Sequence, residues 1–205
     1  MRLCVSILML LVLCGCSQAP PTRTAPCAAT KASGILMMEW RVGAITHGGT
    51  AFVLRHAGKD YVVTAAHTVS DPEGKLHLMD AGGTPVPFIV QSVHRREGVD
   101  AVIFEVTSLP ESVRRFRAST AAPGAPVEAY GYPASLEART CVRAAGNART
   151  RLLSASCRIQ SGMSGGPVLS KDGKAVGVVS SRVLGDEGET SSHVDMLDVL
   201  SLIGE

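Results

Sequence analysis

The stretch GMSGGP, from Gly162 to Pro167, decides the fold of this chain. It places Ser164 among glycines, which expose the serine hydroxyl and leave nearby backbone amides free to donate hydrogen bonds. A serine hydroxyl attacks a carbonyl group efficiently only when a base accepts its proton and amide donors stabilise the oxyanion that forms. The rest of the sequence is therefore expected to contain a base and a group that orients it.

Two further segments supply these groups. TAAH, from Thr64 to His67, ends in a histidine that can accept the serine proton and return it to a leaving amine. GVDAVIFEV, from Gly98 to Val106, places Asp100 before an apolar, strand-like run, where it would accept the other ring N–H of the histidine. A structural histidine and an aspartate that merely caps a strand remain the alternatives. The chain order is His, Asp, Ser, the order of chymotrypsin and not that of subtilisins or α/β-hydrolases.

Together, TAAH, VDAVIF and GMSGGP resemble the trypsin-like serine peptidases of the chymotrypsin fold, particularly the short bacterial members. The resemblance runs from about Gly34 to the C-terminus and is loosest at VDAVIF. It implies that His67, Asp100 and Ser164 are catalytic and that the backbone N–H groups of Gly162 and Ser164 form an oxyanion hole. A glycine-rich hairpin without catalytic function is the alternative interpretation of GMSGGP.

The distribution of apolar residues predicts an all-β chain. Short apolar or alternating runs, such as TAFVLRH, VPFIVQSV and KAVGVVSS, are separated by glycine, proline and charged residues. With the resemblance, this implies two six-stranded antiparallel β-barrels, from about 34 to 107 and from about 123 to 194, with the active site in the cleft between them. Helical spacing of Met196, Leu197, Leu200 and Ile203 predicts a C-terminal helix over about 195–203.

The residue before the nucleophile departs from the animal digestive members of the family. Met163 stands where those enzymes have an aspartate, which pairs with a new N-terminus after zymogen cleavage. Because methionine cannot form an ion pair, activation by N-terminal insertion is not expected.

Family analogy also indicates a substrate pocket. It would be built from the segment between Arg158 and Ser161 and from Ser180, Ser181 and Arg182. Arg158 or Arg182 could favour an acidic substrate side chain or could point to solvent, so the sequence predicts no side-chain preference.

The N-terminus has the layout of an export signal. Arg2 precedes an apolar run from Leu3 to Leu13, which is shorter than a typical transmembrane helix. LCGC, which ends at Cys16, resembles the bacterial lipobox. We therefore expect a signal peptide over 1–15, a lipid on Cys16, a tether over 16–33 and a peptidase domain over 34–205. An ordinary cleaved signal is the alternative.

A lipid on Cys16 would anchor the protein in the cell envelope. Ser17 follows that cysteine, and in a Gram-negative host the absence of aspartate there implies the outer membrane, facing the periplasm. The exported compartment permits disulfides. Cys141 and Cys157 flank a candidate hairpin and are the expected pair, with two buried free thiols as the alternative and Cys27 left over.

Composition excludes several other functions. A formal net charge of +2 does not indicate nucleic-acid binding, and the cluster Arg114, Arg115 and Arg117 is expected to lie exposed between the barrels. The histidines lack metal-ligand spacing, and the chain has neither a phosphate loop nor a dinucleotide fingerprint. No metal or other cofactor is expected.

The sequence therefore predicts a membrane-anchored extracytoplasmic serine endopeptidase, which hydrolyses peptides or proteins through an acyl-enzyme. A catalytically idle peptide-binding lipoprotein and a structural envelope lipoprotein are the alternatives. The intact set of His67, Asp100 and Ser164 favours the enzyme, because an idle scaffold has no chemical reason to retain all three groups.

Overall fold

A computed structural model describes residues 25–26, 33–69, 71, 73–133, 142–149, 152–153, 159–185 and 188–204. For 25–26, 142–149, 152–153, 181–185 and 188–191 only the backbone is described. The strands are β1 (Ala25–Pro26), β2 (Ile35–Val42), β3 (Ile45–His56), β4 (Lys59–Thr64), β5 (Lys75–Met79), β6 (Ile89–Arg95), β7 (Val102–Thr107), β8 (Pro126–Gly131), β9 (Val142–Arg149), β10 (Leu152–Leu153), β11 (Pro167–Ser170), β12 (Ala175–Gly185) and β13 (Gly188–Asp195).

The first sheet contains six antiparallel strands in the order β5-β2-β3-β4-β7-β6. Its central strands are buried on both faces and contain continuous apolar runs, whereas the edge strand β6 is mostly exposed. Leu36 and Val53 belong to a cluster on one face, which is enclosed by the curl of this sheet. Ile35 and Phe52 belong to a second cluster, on the other face, which also includes residues of the second sheet.

The second sheet contains seven strands in the order β1-β9-β10-β13-β12-β11-β8. β8, the last strand in this order, also pairs with β9. The short strand β1 pairs with β9 as well. Tyr130 and Val178 of the second sheet pack into the same cluster as Ile35 and Phe52 of the first sheet. The core between the two sheets is therefore continuous.

A mostly β fold with a short C-terminal helix is confirmed, but two closed barrels are not shown. In the part of the chain that the structure describes, β5 and β6 lie at opposite edges of the first sheet and do not pair.

The predicted C-terminal helix is present as two short consecutive helical segments. It consists of α1 (Met196–Leu200) and a 3₁₀ turn, Ser201–Ile203. A helix of this length buries a single row, Met196 and Val199, and leaves Leu197 exposed, although the sequence pattern had placed Leu197 on the apolar face.

The N-terminal predictions lie outside the described residues. Residues 1–24 and 27–32, with Cys16 and Cys27, are among the positions that the structure does not describe. Within the described ranges, no helix is both long and apolar enough to cross a membrane.

Arg115 organises the linker between the two sheets, which was expected to be an exposed basic surface. Its guanidinium donates hydrogen bonds to the backbone carbonyls of Leu109, Pro110, Glu111 and Val113. Its Nε also donates to Asp60 of β4, at 3.2 Å. One side chain therefore closes the linker into a compact loop and ties that loop to the first sheet.

We predict that Arg115→Met lowers the free energy of unfolding by about 1–3 kcal/mol, because several partly buried carbonyls lose their donor. Arg117→Met is the matched control, since Arg117 is exposed, and it should change stability by less than about 0.5 kcal/mol. Urea denaturation measures both. Equal stability of the two variants would contradict this role of Arg115.

Candidate active site

His67 lies in a 3₁₀ turn, Ala66–Thr68, that follows directly after β4. The hydroxyl of Thr68 donates a hydrogen bond to the carbonyl of Ala65 at 2.6 Å, and this bond closes the turn. The backbone amide of His67 donates to Oδ1 of Asp100 at 2.9 Å. These bonds hold the main chain of His67 in place independently of the contacts that its ring makes.

Asp100 joins the two sheets through its carboxylate. Nδ1 of His67 lies 2.8 Å from its Oδ2 and 3.1 Å from its Oδ1. The hydroxyl of Ser180, on β12 of the second sheet, donates to the same Oδ2. A carboxylate only accepts hydrogen bonds, so the proton of the His67 ring is placed on Nδ1 and Nε2 is left as the acceptor.

These contacts shift the pKa values of both groups. The hydrogen bond to Asp100 raises the pKa of His67 above its usual value, although burial opposes this and the charge of Asp100 adds to it. Burial alone would raise the pKa of Asp100. The hydrogen bonds from the His67 ring, the Ser180 hydroxyl and the His67 amide, with the charge of His67, lower that pKa instead.

Ser164 lies in a tight loop that requires glycine at two positions. Gly162 has φ +93° and Gly165 has φ +87°, a region that side chains with a Cβ rarely adopt. A Cβ at Gly165 would also lie 2.1 Å from the carbonyl oxygen of Thr50 and from the hydroxyl of Thr64. The glycines therefore allow this loop to lie directly against the first sheet.

The hydroxyl of Ser164 points toward the second sheet in this structure. It donates a hydrogen bond to the backbone carbonyl of Ser180 at 3.0 Å and makes none to the ring of His67. Ser180 thus contacts two of the predicted catalytic residues, since its hydroxyl binds Asp100 and its carbonyl binds Ser164.

Two backbone amides of the loop are free in the part of the chain that the structure describes. The amides of Met163 and Gly165 donate to the carbonyls of Gln160 and Val179. Those of Gly162 and Ser164 make no hydrogen bond to another described residue. These are the two amides that the sequence had assigned to an oxyanion hole.

Met163 is fully buried beneath the loop. It packs in a cluster with Ile159 and Val179, and its sulfur accepts a hydrogen bond from the amide of Gln160 at 3.4 Å. Met163 is therefore held in place by packing and by one hydrogen bond to its sulfur.

The remaining predicted residues are described only in part. The side chains of Ser181 and Arg182 on β12 are not described, and Arg158, Cys141 and Cys157 lie outside the described residues. Sequence reasoning assigned Ser180 to the substrate pocket and missed its bond to Asp100. No group of three or more metal-ligating side chains lies within the described ranges.

Comparison with protein families decides the membership of this chain. The model of the trypsin-like peptidase domain matches residues 49–178, more than half of its length. This chain belongs to the trypsin-like peptidase domain family. No curated protein matches it significantly.

Solved trypsin-like structures share the fold at low sequence identity. The serine endoprotease from Yersinia pestis aligns with a TM-score of 0.66 and 18% identity over 87% of this chain, which spans 66% of that protease. Rv3671c protease from M. tuberculosis, in its active form, aligns with a TM-score of 0.64 and 22% identity over 97% of this chain and 95% of its own. An inactivated protease paralogue of the scabies mite aligns with a TM-score of 0.69 and 16% identity, over 88% of this chain and 96% of that paralogue.

We predict that NMR titration of the His67 ring gives a pKa above the usual value of about 6.5. Asp100→Asn should lower that pKa relative to the wild type, because the substitution removes the charge and the strongest acceptor beside Nδ1. Asp172→Asn, which changes an exposed carboxylate in the β11–β12 turn, is the control and should leave it unchanged. An equal pKa in wild type and Asp100→Asn would contradict the coupling.

Proposed function

We propose that this chain is a serine endopeptidase of the cell envelope that cleaves peptide bonds through Ser164, His67 and Asp100. The observation that carries the proposal is the bonding of Asp100 to His67 from one side and to Ser180 from the other, with the hydroxyl of Ser164 on the carbonyl of Ser180. This network fixes the Nδ1 side of the His67 imidazole and connects it through Ser180 to Ser164. The loop of Ser164 also contains two amides, those of Gly162 and Ser164, that make no hydrogen bond to another described residue. Membership of the trypsin-like family supports the same chemistry.

The reaction begins with a rotation of the Ser164 side chain from Ser180 toward Nε2 of His67. The imidazole then accepts the hydroxyl proton while Oγ forms a bond to the substrate carbonyl carbon. The amides of Gly162 and Ser164 donate to the oxygen that becomes negative. The imidazolium returns its proton to the leaving amine as the peptide bond breaks, and water, activated by His67, hydrolyses the acyl-enzyme.

We predict that a fluorophosphonate probe labels the wild-type protein and that Ser164→Ala abolishes labelling and lowers turnover by roughly a million-fold. The fold should persist, because the hydroxyl contributes little to packing. Ser112→Ala, which removes an exposed hydroxyl in the linker between the two sheets, is the control and should label like the wild type. Retained labelling of Ser164→Ala, read by mass spectrometry, would exclude Ser164 as the nucleophile.

An idle peptide-binding lipoprotein is the second candidate function. The hydrogen bond from Ser164 to the Ser180 carbonyl favours it, because a hydroxyl held there is not activated by His67. The fold also occurs in a scabies mite protease paralogue that is inactivated, so the fold alone does not require activity. A wild-type protein that binds peptides but remains unlabelled would establish this function.

Anchoring through Cys16 completes the proposed function. A signal peptide over 1–15 and a proline-rich tether up to residue 33 would hold the peptidase domain, residues 34–205, at the membrane of the cell envelope. In a Gram-negative host that membrane is the outer one. The substrates are peptides or proteins, and no cofactor is needed. Two closed barrels, a Cys141–Cys157 disulfide and a substrate pocket at Arg158, Ser180, Ser181 and Arg182 are further parts of this proposal.

We predict that the wild-type protein incorporates an alkyne fatty acid in cells and that Cys16→Ala does not, because the acceptor thiol is lost. Cys14→Ala is the matched control. Since it leaves the Cys16 thiol in place, it should still be labelled. Equal labelling of Cys16→Ala and the wild type would reject Cys16 as the lipid acceptor.

A further inference from the structure

Thr50 connects the first sheet to the loop that carries Ser164. It is fully buried on β3, and its backbone amide donates a hydrogen bond to the carbonyl of Ser164 at 2.9 Å. Its hydroxyl donates to the carbonyl of Gly162 at 2.8 Å. The same hydroxyl accepts a hydrogen bond from the amide of Tyr132 at 2.9 Å. One residue of the first sheet thus contacts the loop on both sides of Met163.

The direction of the Thr50 hydroxyl is fixed by its two partners. A carbonyl can only accept and an amide N–H can only donate, so the hydroxyl proton must point to Gly162. Rotation of the hydroxyl proton away from Gly162 would leave the partly buried carbonyl of Gly162 without this donor.

The Thr50 contacts determine where the loop amides point. Each peptide unit is planar, so fixing the carbonyl of Gly162 fixes the whole plane between Gly162 and Met163. The bond to the Ser164 carbonyl fixes the plane between Ser164 and Gly165. The free amides of Gly162 and Ser164 lie in the adjoining planes. Gly162 has no Cβ to restrict its own torsions, so its orientation depends on outside contacts of this kind.

We propose that Thr50 is a positioning residue for the site, which orients the Gly162 and Ser164 amides toward a substrate oxygen through its hydroxyl. This inference rests on the proposed peptidase function. It predicts that removal of the hydroxyl weakens stabilisation of the transition state and leaves binding of the ground-state substrate nearly intact.

Three variants of the full chain separate this role from a general loss of stability. Thr50→Val keeps the shape of the side chain and removes the hydroxyl. Thr50→Ser restores the hydroxyl without the methyl group. Tyr132→Phe is the matched control, because it removes a buried hydrogen bond, from the tyrosine hydroxyl to the Ile35 carbonyl at 2.9 Å, across the same junction of the sheets.

We expect Thr50→Val to lower kcat by roughly 10- to 100-fold, because small displacements of positioned groups have effects of that size. KM should change by less than about three-fold, and the affinity for a peptide boronate should fall in parallel with kcat/KM. Thr50→Ser should recover most of the lost kcat. Tyr132→Phe should lose thermal stability but keep kcat.

A kcat for Thr50→Val that matches Tyr132→Phe would overturn the inference, as would a Thr50→Ser variant no more active than Thr50→Val. If Thr50→Val does not fold, Thr50→Cys replaces it in the comparison, since a thiol is a weak donor. A wild-type protein that neither hydrolyses peptides nor labels would instead refute the peptidase function. Crystal structures then decide the inference: a Gly162 carbonyl in the wild-type direction in Thr50→Val overturns it, and a rotated one supports it.

Discussion

The carboxylate of Asp100 is the point on which the arrangement of this protein depends. It accepts hydrogen bonds from His67, which the first sheet positions, and from Ser180, which belongs to the second sheet. A partly buried carboxylate is costly unless donors surround it, and the lowered pKa of Asp100 reflects how well these donors do so. The correct distance between the two sheets is therefore a condition for a satisfied Asp100 and for an oriented His67.

Several other features hold the sheets at that distance. A shared apolar cluster fills the space between them, and the Arg115 network ties the linker to β4. Near the nucleophile, the loop lies so close to β3 that Gly165 has no room for a Cβ. Packing supplies most of the stabilisation here, whereas the directional hydrogen bonds of Thr50 and Asp100 select one geometry among those that packing allows.

The sequence predicted those parts of the structure that depend on local composition. GMSGGP indicated a glycine-rich turn around Ser164, and Gly162 and Gly165 in that turn have positive φ. The apolar runs indicated strands, and the structure places His67 just after one of them. Hydrogen bonds between distant segments have no corresponding pattern in the sequence. The bond from Ser180 to Asp100 spans eighty residues and the bond from Thr50 to Gly162 spans more than a hundred, so only the fold reveals either of them. Arg115 was expected at the surface because a charge cluster gives no indication of four nearby carbonyls.

The central claim is that Ser164 attacks a substrate carbonyl whose oxygen accepts hydrogen bonds from the backbone amides of Gly162 and Ser164. The most direct measurement is a crystal structure of the full chain after reaction with a peptidyl phosphonate. The account predicts a bond from phosphorus to Oγ of Ser164, with the phosphoryl oxygen about 2.7–3.1 Å from the amide nitrogens of Gly162 and Ser164. An adduct on another residue, or a phosphoryl oxygen turned away from both amides, would contradict it.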